Sequence, residues 1–137
     1  MYGILEGMYR TLIGLSCILV IGILLLNAVA HALYLYVSIP WFDMLMHTLG
    51  GVFIAIVAGA LLAKKSHSSR ELYTLLPLIV FVVGLGWEYY EYLVQFFVKS
   101  VDLAKIPDSI SDLICDMVGS MIGSSVVILV QKRYNKE

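Results

Sequence analysis

The chain has 137 residues, of which 61% are hydrophobic and only 14% are Asp, Glu, Lys or Arg, whereas a soluble globular domain carries about a quarter charged residues. A soluble fold of this size has no interior large enough for so much apolar surface, which excludes an ordinary cytosolic enzyme, a disordered chain and a disulfide scaffold. Nine basic residues against ten acidic ones leave no basic field to attract nucleic acid, and the partner this composition calls for is the lipid bilayer.

A bilayer core takes about 20 mainly apolar residues in a helix. Four stretches reach that length. The first span is expected over about 11–32, and Ile18 to Leu26 within it carries no polar side chain. The connection that follows holds Tyr34, Tyr36, Trp41 and Phe42, an aromatic anchor for a membrane interface. The second span covers about 43–63 and stops before Lys64-Lys65. The third covers about 72–98, with Pro77 in its early turns, where proline is tolerated best. The fourth covers about 109–130, between Pro107-Asp108-Ser109 and Gln131-Lys132-Arg133. Short connections predict an all-α, integral membrane four-helix bundle in which successive helices run antiparallel, with 1–137 as one transmembrane domain.

Lys and Arg orient such a bundle. Arg10, Lys64, Lys65, Arg70, Lys132, Arg133 and Lys136 fall on one face, and only Lys99 and Lys105 on the other. The bias predicts both termini in the cytoplasm of a multi-pass protein of the inner, cytoplasmic membrane. A rival reading takes Arg10, the apolar run and Ala28-Val29-Ala30 as a cleaved secretory signal. The length of the run and Glu6 ahead of it favour an uncleaved span, and cleavage would leave the other three oriented the same way. Cys17 and Cys115 fall inside spans and read as small packing residues, since neither a disulfide nor a zinc pattern is expected there. His67 reads as a solvated loop residue.

Ionised side chains near the bilayer centre cost about 2.5–3.5 kcal/mol each on insertion scales, so they turn toward protein and usually have a role. At about 100° per residue, Asp108, Asp112, Asp116, Gly119 and Gly123 fall on one stripe of the fourth span roughly 80° wide. Gly84, Glu88, Glu91 and Gln95 share a sector of the third roughly 60° wide. Asp43, His47 and Gly50 share a face of the second, and Asn27, His31 and Tyr34 a face of the first. All lie toward the outer ends of their spans, so carboxylates from three helices and one histidine are expected to meet in an outward-facing cavity.

Local roles compete with that reading. Asp108 or Ser109 suits the N-cap of the fourth helix, Ser109 with Asp112 fits a capping box, and Asp43 suits a cap on the second. His31 and Glu91 suit the interface, and Gly119 and Gly123 suit close helix packing. Asp116 lies about 12 Å along the axis from Asp108, too deep for a cap. Glu88 stands well before its helix ends, and His47 sits one turn inside Asp43.

His47, Glu88 and Asp116 are therefore the candidate catalytic groups, with Asp43, Glu91 and Asp112 as candidate ligand- or ion-binding groups. Carboxylate oxygens with one imidazole suit a divalent cation, for which His47, Glu88, Asp112 and Asp116 would be the donors, although no strong metal motif is present. A carboxyl beside a carboxylate with a histidine near is a general acid/base arrangement and equally a proton relay. Three classes stay open: a protein that binds or acts on a lipid headgroup or envelope precursor, a small proton- or cation-coupled transporter, and a non-catalytic structural or assembly protein. A homo-oligomer is compatible with each.

Trp41-Phe42-Asp43-Met44-Leu45-Met46-His47 resembles the Asp-x-x-x-His start of a span in VanZ-like membrane proteins. Gly86-Trp87-Glu88-Tyr89-Tyr90-Glu91 resembles their Glu-bearing segment. Ser111-Asp112-Leu113-Ile114-Cys115-Asp116-Met117-Val118-Gly119, with Gly123, is similar to their closing Asp-x-x-x-Asn-x-x-Gly-x-x-x-Gly helix. Asp rather than Asn at position 116 brings the chain closer to the related YjdF-like membrane proteins. The resemblance spans roughly 40–125 and implies a small polytopic membrane fold with these same acidic residues and histidine at its site.

Overall fold

The computed structural model describes residues 2–63, 67–98 and 106–135. Lys64, Lys65, Lys99, Lys105 and Lys136, which enter the charge bias, lie outside the described residues, as do the side chains of Asp108 and Gln95. The elements in chain order are α1 (Tyr2–Ala32), α2 (Leu35–Ser38), α3 (Phe42–Leu62), α4 (Ser69–Val98) and α5 (Ile106–Tyr134). Four of them are long and apolar enough to cross a membrane, over Leu5–Ala32, Phe42–Leu62, Ser69–Val94 and Ser109–Tyr134. The described chain is an all-helical integral membrane fold.

The helix ends differ from expectation for local reasons. α1 starts well ahead of residue 11, and an exposed Glu6–Arg10 ion pair of 2.6 Å, one turn apart, supports that extension. Between α1 and α3 the chain turns at Tyr34, whose left-handed φ of 55° is the one positive value among described non-glycine residues. A single turn of helix follows, and the Tyr36 ring meets Phe42 edge-on at 5.0 Å. Trp41, not Asp43, occupies the N-cap of α3 and caps it with no side chain, so Asp43 sits in the first turn with its carboxylate available elsewhere.

Ser68 and Glu71 start α4 with a reciprocal capping box. The Ser68 amide donates to Glu71 Oε2 at 2.8 Å, and the Glu71 amide donates to Ser68 Oγ at 3.2 Å. This moves the start ahead of residue 72 and leaves Pro77 inside the helix, buried. α5 likewise begins before Ser109, so Ser109 and Asp112 are helical residues rather than a capping box.

Water does not drive helices together in lipid; close van der Waals contact between small residues does. The tightest pair here is α3 with α5. A Cβ on Gly119 would collide with the Thr48 carbonyl, one on Gly123 would lie 2.7 Å from Ala55 Cβ, and one on Gly59 would lie 2.5 Å from the Val127 side chain. These contacts advance in the same direction along both helices, so the central pair is parallel, made of spans that are not neighbours in the chain. Gly119 and Gly123 thus do pack helix against helix. α1 and α4 each pack on both members of the pair.

Met8, Leu12, Leu72, Leu76, Val80, Val127 and Ile128 close the core toward the end that carries the termini. Hydrogen bonds tie that end together, from Thr11 to Tyr134 (2.8 Å) and from Gln131 Nε2 to the His67 carbonyl (2.7 Å). His67 is therefore a half-buried strut rather than a solvated residue. Cys17 does not pack: it is exposed on the lipid-facing side of α1, near Ile18 at 72% exposure.

Candidate functional site

The opposite end of the bundle holds the polar groups. α3 brings Asp43 and His47 in its first two turns, α4 brings Glu88 and Glu91 in its second half, and α5 brings Asp112 and Asp116. All six line one cavity of about 920 Å³, within the range of small-molecule sites. Its walls also include Asn27 and His31 of α1, Tyr36 of α2, and Trp87 and Tyr90 of α4, and no Lys or Arg lines it among the described residues.

His47 is the hub. The residue is 9% exposed, with Asp112 at 3% and Asp116 at 5%. Its Nδ1 lies 3.4 Å from Asp116 Oδ1, and its Nε2 lies 3.8 Å from Asp112 Oδ2. This bracket follows from the glycine contacts. At Gly51, one turn beyond His47, a Cβ would run into the Asp116 carbonyl, so the two backbones pack closely beside the histidine. Across from them a Cβ on Gly84 would sit 2.6 Å from Asp116 Oδ2. Gly84 therefore makes room for the carboxylate itself. Sequence reasoning placed Gly84 on the face of Glu88 without giving it a role, and its position one turn before Glu88 was the available signal.

Glu88 and Glu91 differ although they are three residues apart. Glu91 Oε1 accepts a 3.0 Å hydrogen bond from Trp87 Nε1. Glu88 Oε1 is buried and has no hydrogen-bond partner among the described residues, a costly condition unless something else donates to it. At the mouth, the Tyr36 hydroxyl donates to Asn27 Oδ1 at 2.7 Å, and the His31 ring stands 5.4 Å from the Tyr36 ring. Burial, with Asp43 and Glu91 nearby, pushes the Tyr36 hydroxyl above the usual phenol range. Tyr36 and Trp87 are site neighbours that sequence reasoning assigned only to the interface or to no role.

Asp43, His47 and Asp112 each offer one donor atom within 4.8 Å of the others, a spacing that a divalent cation could bridge with hard oxygen and imidazole donors. Of the four donors expected from sequence, Glu88 and Asp116 are outside this group. Asp116 faces the other ring nitrogen, in the place of a carboxylate that orients a ligating histidine.

The family model described as predicted membrane protein (DUF2238) matches residues 6–135. The chain belongs to that family. The match runs through all four spans and every residue of the cavity, so the DUF2238 region and the bundle coincide. No curated protein and no solved structure matches the chain.

Proposed function

We propose that this DUF2238 protein binds, and in its catalytic form acts on, the polar head of an envelope lipid or lipid-linked precursor at the outer side of the cytoplasmic membrane. One observation carries the reading: six ionisable groups from three helices line a single cavity, while Glu88 keeps a buried oxygen with no donor among the described residues. Interhelical hydrogen bonds that merely registered the bundle would leave their members satisfied. A ligand N–H or O–H supplies what Glu88 lacks. In the catalytic form Glu88 is the base, and the Asp116–His47 pair supplies an oriented imidazole as acid. Asp43, Glu91 and Asp112 hold the head. The motif resemblance to VanZ-like and YjdF-like proteins supports the same residues. Cytoplasmic termini follow from the Lys and Arg bias.

Native mass spectrometry of the detergent-purified protein tests this. The parent retains about one lipid-class molecule per chain through the single site, and the Glu88→Gln, Asp116→Asn double variant, still folded by circular dichroism, loses it. Equal retention, or none in either, rejects the reading.

The spacing of Asp43, His47 and Asp112 favours a second reading, a cation site that would serve a small transporter or hold a divalent ion. Metal analysis of the parent against Asp112→Asn decides it, since equal and negligible metal in both ends the metal version.

A further inference from the structure

The backbones of α1 and α4 do not approach each other among the described residues, yet both helices line the cavity. Leu24 of α1 and Val83 of α4 both line it while staying 61% and 44% exposed. Both lie well inside membrane-spanning segments, where the surrounding medium is hydrocarbon. Along α3 the lining runs from Asp43 to Ile54, about 16 Å at 1.5 Å per residue. The polar groups occupy one end of that length and apolar side chains the other. A ligand that fits both ends is itself amphipathic.

The head chemistry follows from charge. Among the described residues, five carboxyl groups and two imidazoles, those of His31 and His47, line the cavity without a Lys or Arg, so an anionic head is repelled. A primary ammonium carries three donors and no acceptor, which matches carboxylate oxygens and the unpartnered Glu88 Oε1. The rings of Trp87 and Tyr90, 5.6 Å apart, border the same space and offer aromatic faces to a cation.

We infer that the occupant is an ammonium-headed membrane amphiphile that enters sideways between α1 and α4, its tail between Leu24 and Val83 and its head at Glu88. This rests on the headgroup reading above and adds the class of head and the route. The route keeps the tail in an apolar medium throughout, so no hydrocarbon crosses water.

The test places the photoreactive residue benzoylphenylalanine at Leu24, or at the lipid-facing control Ile18, in protein reconstituted into vesicles of equal phosphatidylethanolamine and phosphatidylglycerol. At Leu24 the ethanolamine lipid is captured about tenfold over the glycerol lipid, the equivalent of one charge-assisted hydrogen bond. At Ile18 capture follows the bulk composition. Glu88→Gln returns the Leu24 ratio to bulk; should that variant fail to fold, Glu91→Gln replaces it with a reduced ratio expected. The same ratio at both positions overturns the inference, as does an adduct to a second copy of the chain, which would make the cleft a subunit interface. Lipid retained in the mass spectrum without ethanolamine enrichment at Leu24 leaves the headgroup reading standing and removes only the head class and route.

Discussion

His47 Nδ1 stands 3.4 Å from Asp116 Oδ1 although the two residues lie on different helices, 69 positions apart in the chain. The parallel packing of α3 on α5 creates the pair, because glycine at 51 and 119 lets the two backbones touch at that level. Asp116 also faces Gly84, so three helices meet at one carboxylate. A buried pair of this kind is expensive to break from one side, since the remaining partner loses its compensation.

Replacing Asp116 by Ala should therefore lower stability by about 3 kcal/mol or more. His47→Ala should cost a similar amount, and the double variant less than the sum by about 1 kcal/mol or more. Reversible unfolding of the four proteins of this cycle in mixed micelles measures the coupling. Additive losses would show that the two side chains act independently.

The glycines separate into two kinds. Gly119→Ala drives a methyl into the Thr48 carbonyl, whereas a Cβ on Gly22 meets nothing within 4 Å. Alanine is the better helix former by about 1 kcal/mol. Gly22→Ala should accordingly be neutral or slightly stabilising, and Gly119→Ala should lower the melting temperature and loosen α3 from α5. Thermal melts in one detergent compare them directly; equal shifts would contradict the close approach.

Tyr36 gives a pH signature outside the spans. Its hydroxyl lies above the usual phenol range through burial first, and then through Asp43 and Glu91. A group raised on folding adds stability that is complete below the unfolded value and fades as pH climbs through the folded one. The tyrosinate absorbance that Tyr36→Phe removes should thus titrate above about pH 10, the ordinary phenol value, with the accompanying stability lost in the same window. Asp43→Asn should bring the midpoint down. A Tyr36 midpoint at or below the ordinary value would refute the arrangement.

Orientation can be read by chemistry from outside. In a background with Cys17 and Cys115 replaced by Ala, Val37→Cys, at an 85% exposed site on α2, should react with an impermeant maleimide in intact cells. Lys132→Cys, at the far end of α5, should react only after lysis. The reverse pattern would invert the orientation derived from Lys and Arg.

Much of this architecture was legible in the linear chain because lipid imposes a simple rule: about 20 apolar residues per crossing. The four spans follow from it, as does the alignment of Asp112, Asp116, Gly119 and Gly123 along one helix face, since angular position depends only on residue number. Residue number does not say which helices touch. That His47 lies between Asp112 and Asp116, that Gly84 houses a carboxylate, and that α1 and α4 stay apart were decided by the parallel α3–α5 contact, a packing choice made by side-chain shape across distant segments. Caps were misplaced for the complementary reason. Ser109 and Asp43 had suitable cap chemistry, but the helices began earlier, at positions set by turn geometry at Trp41 and by an α5 start at Ile106.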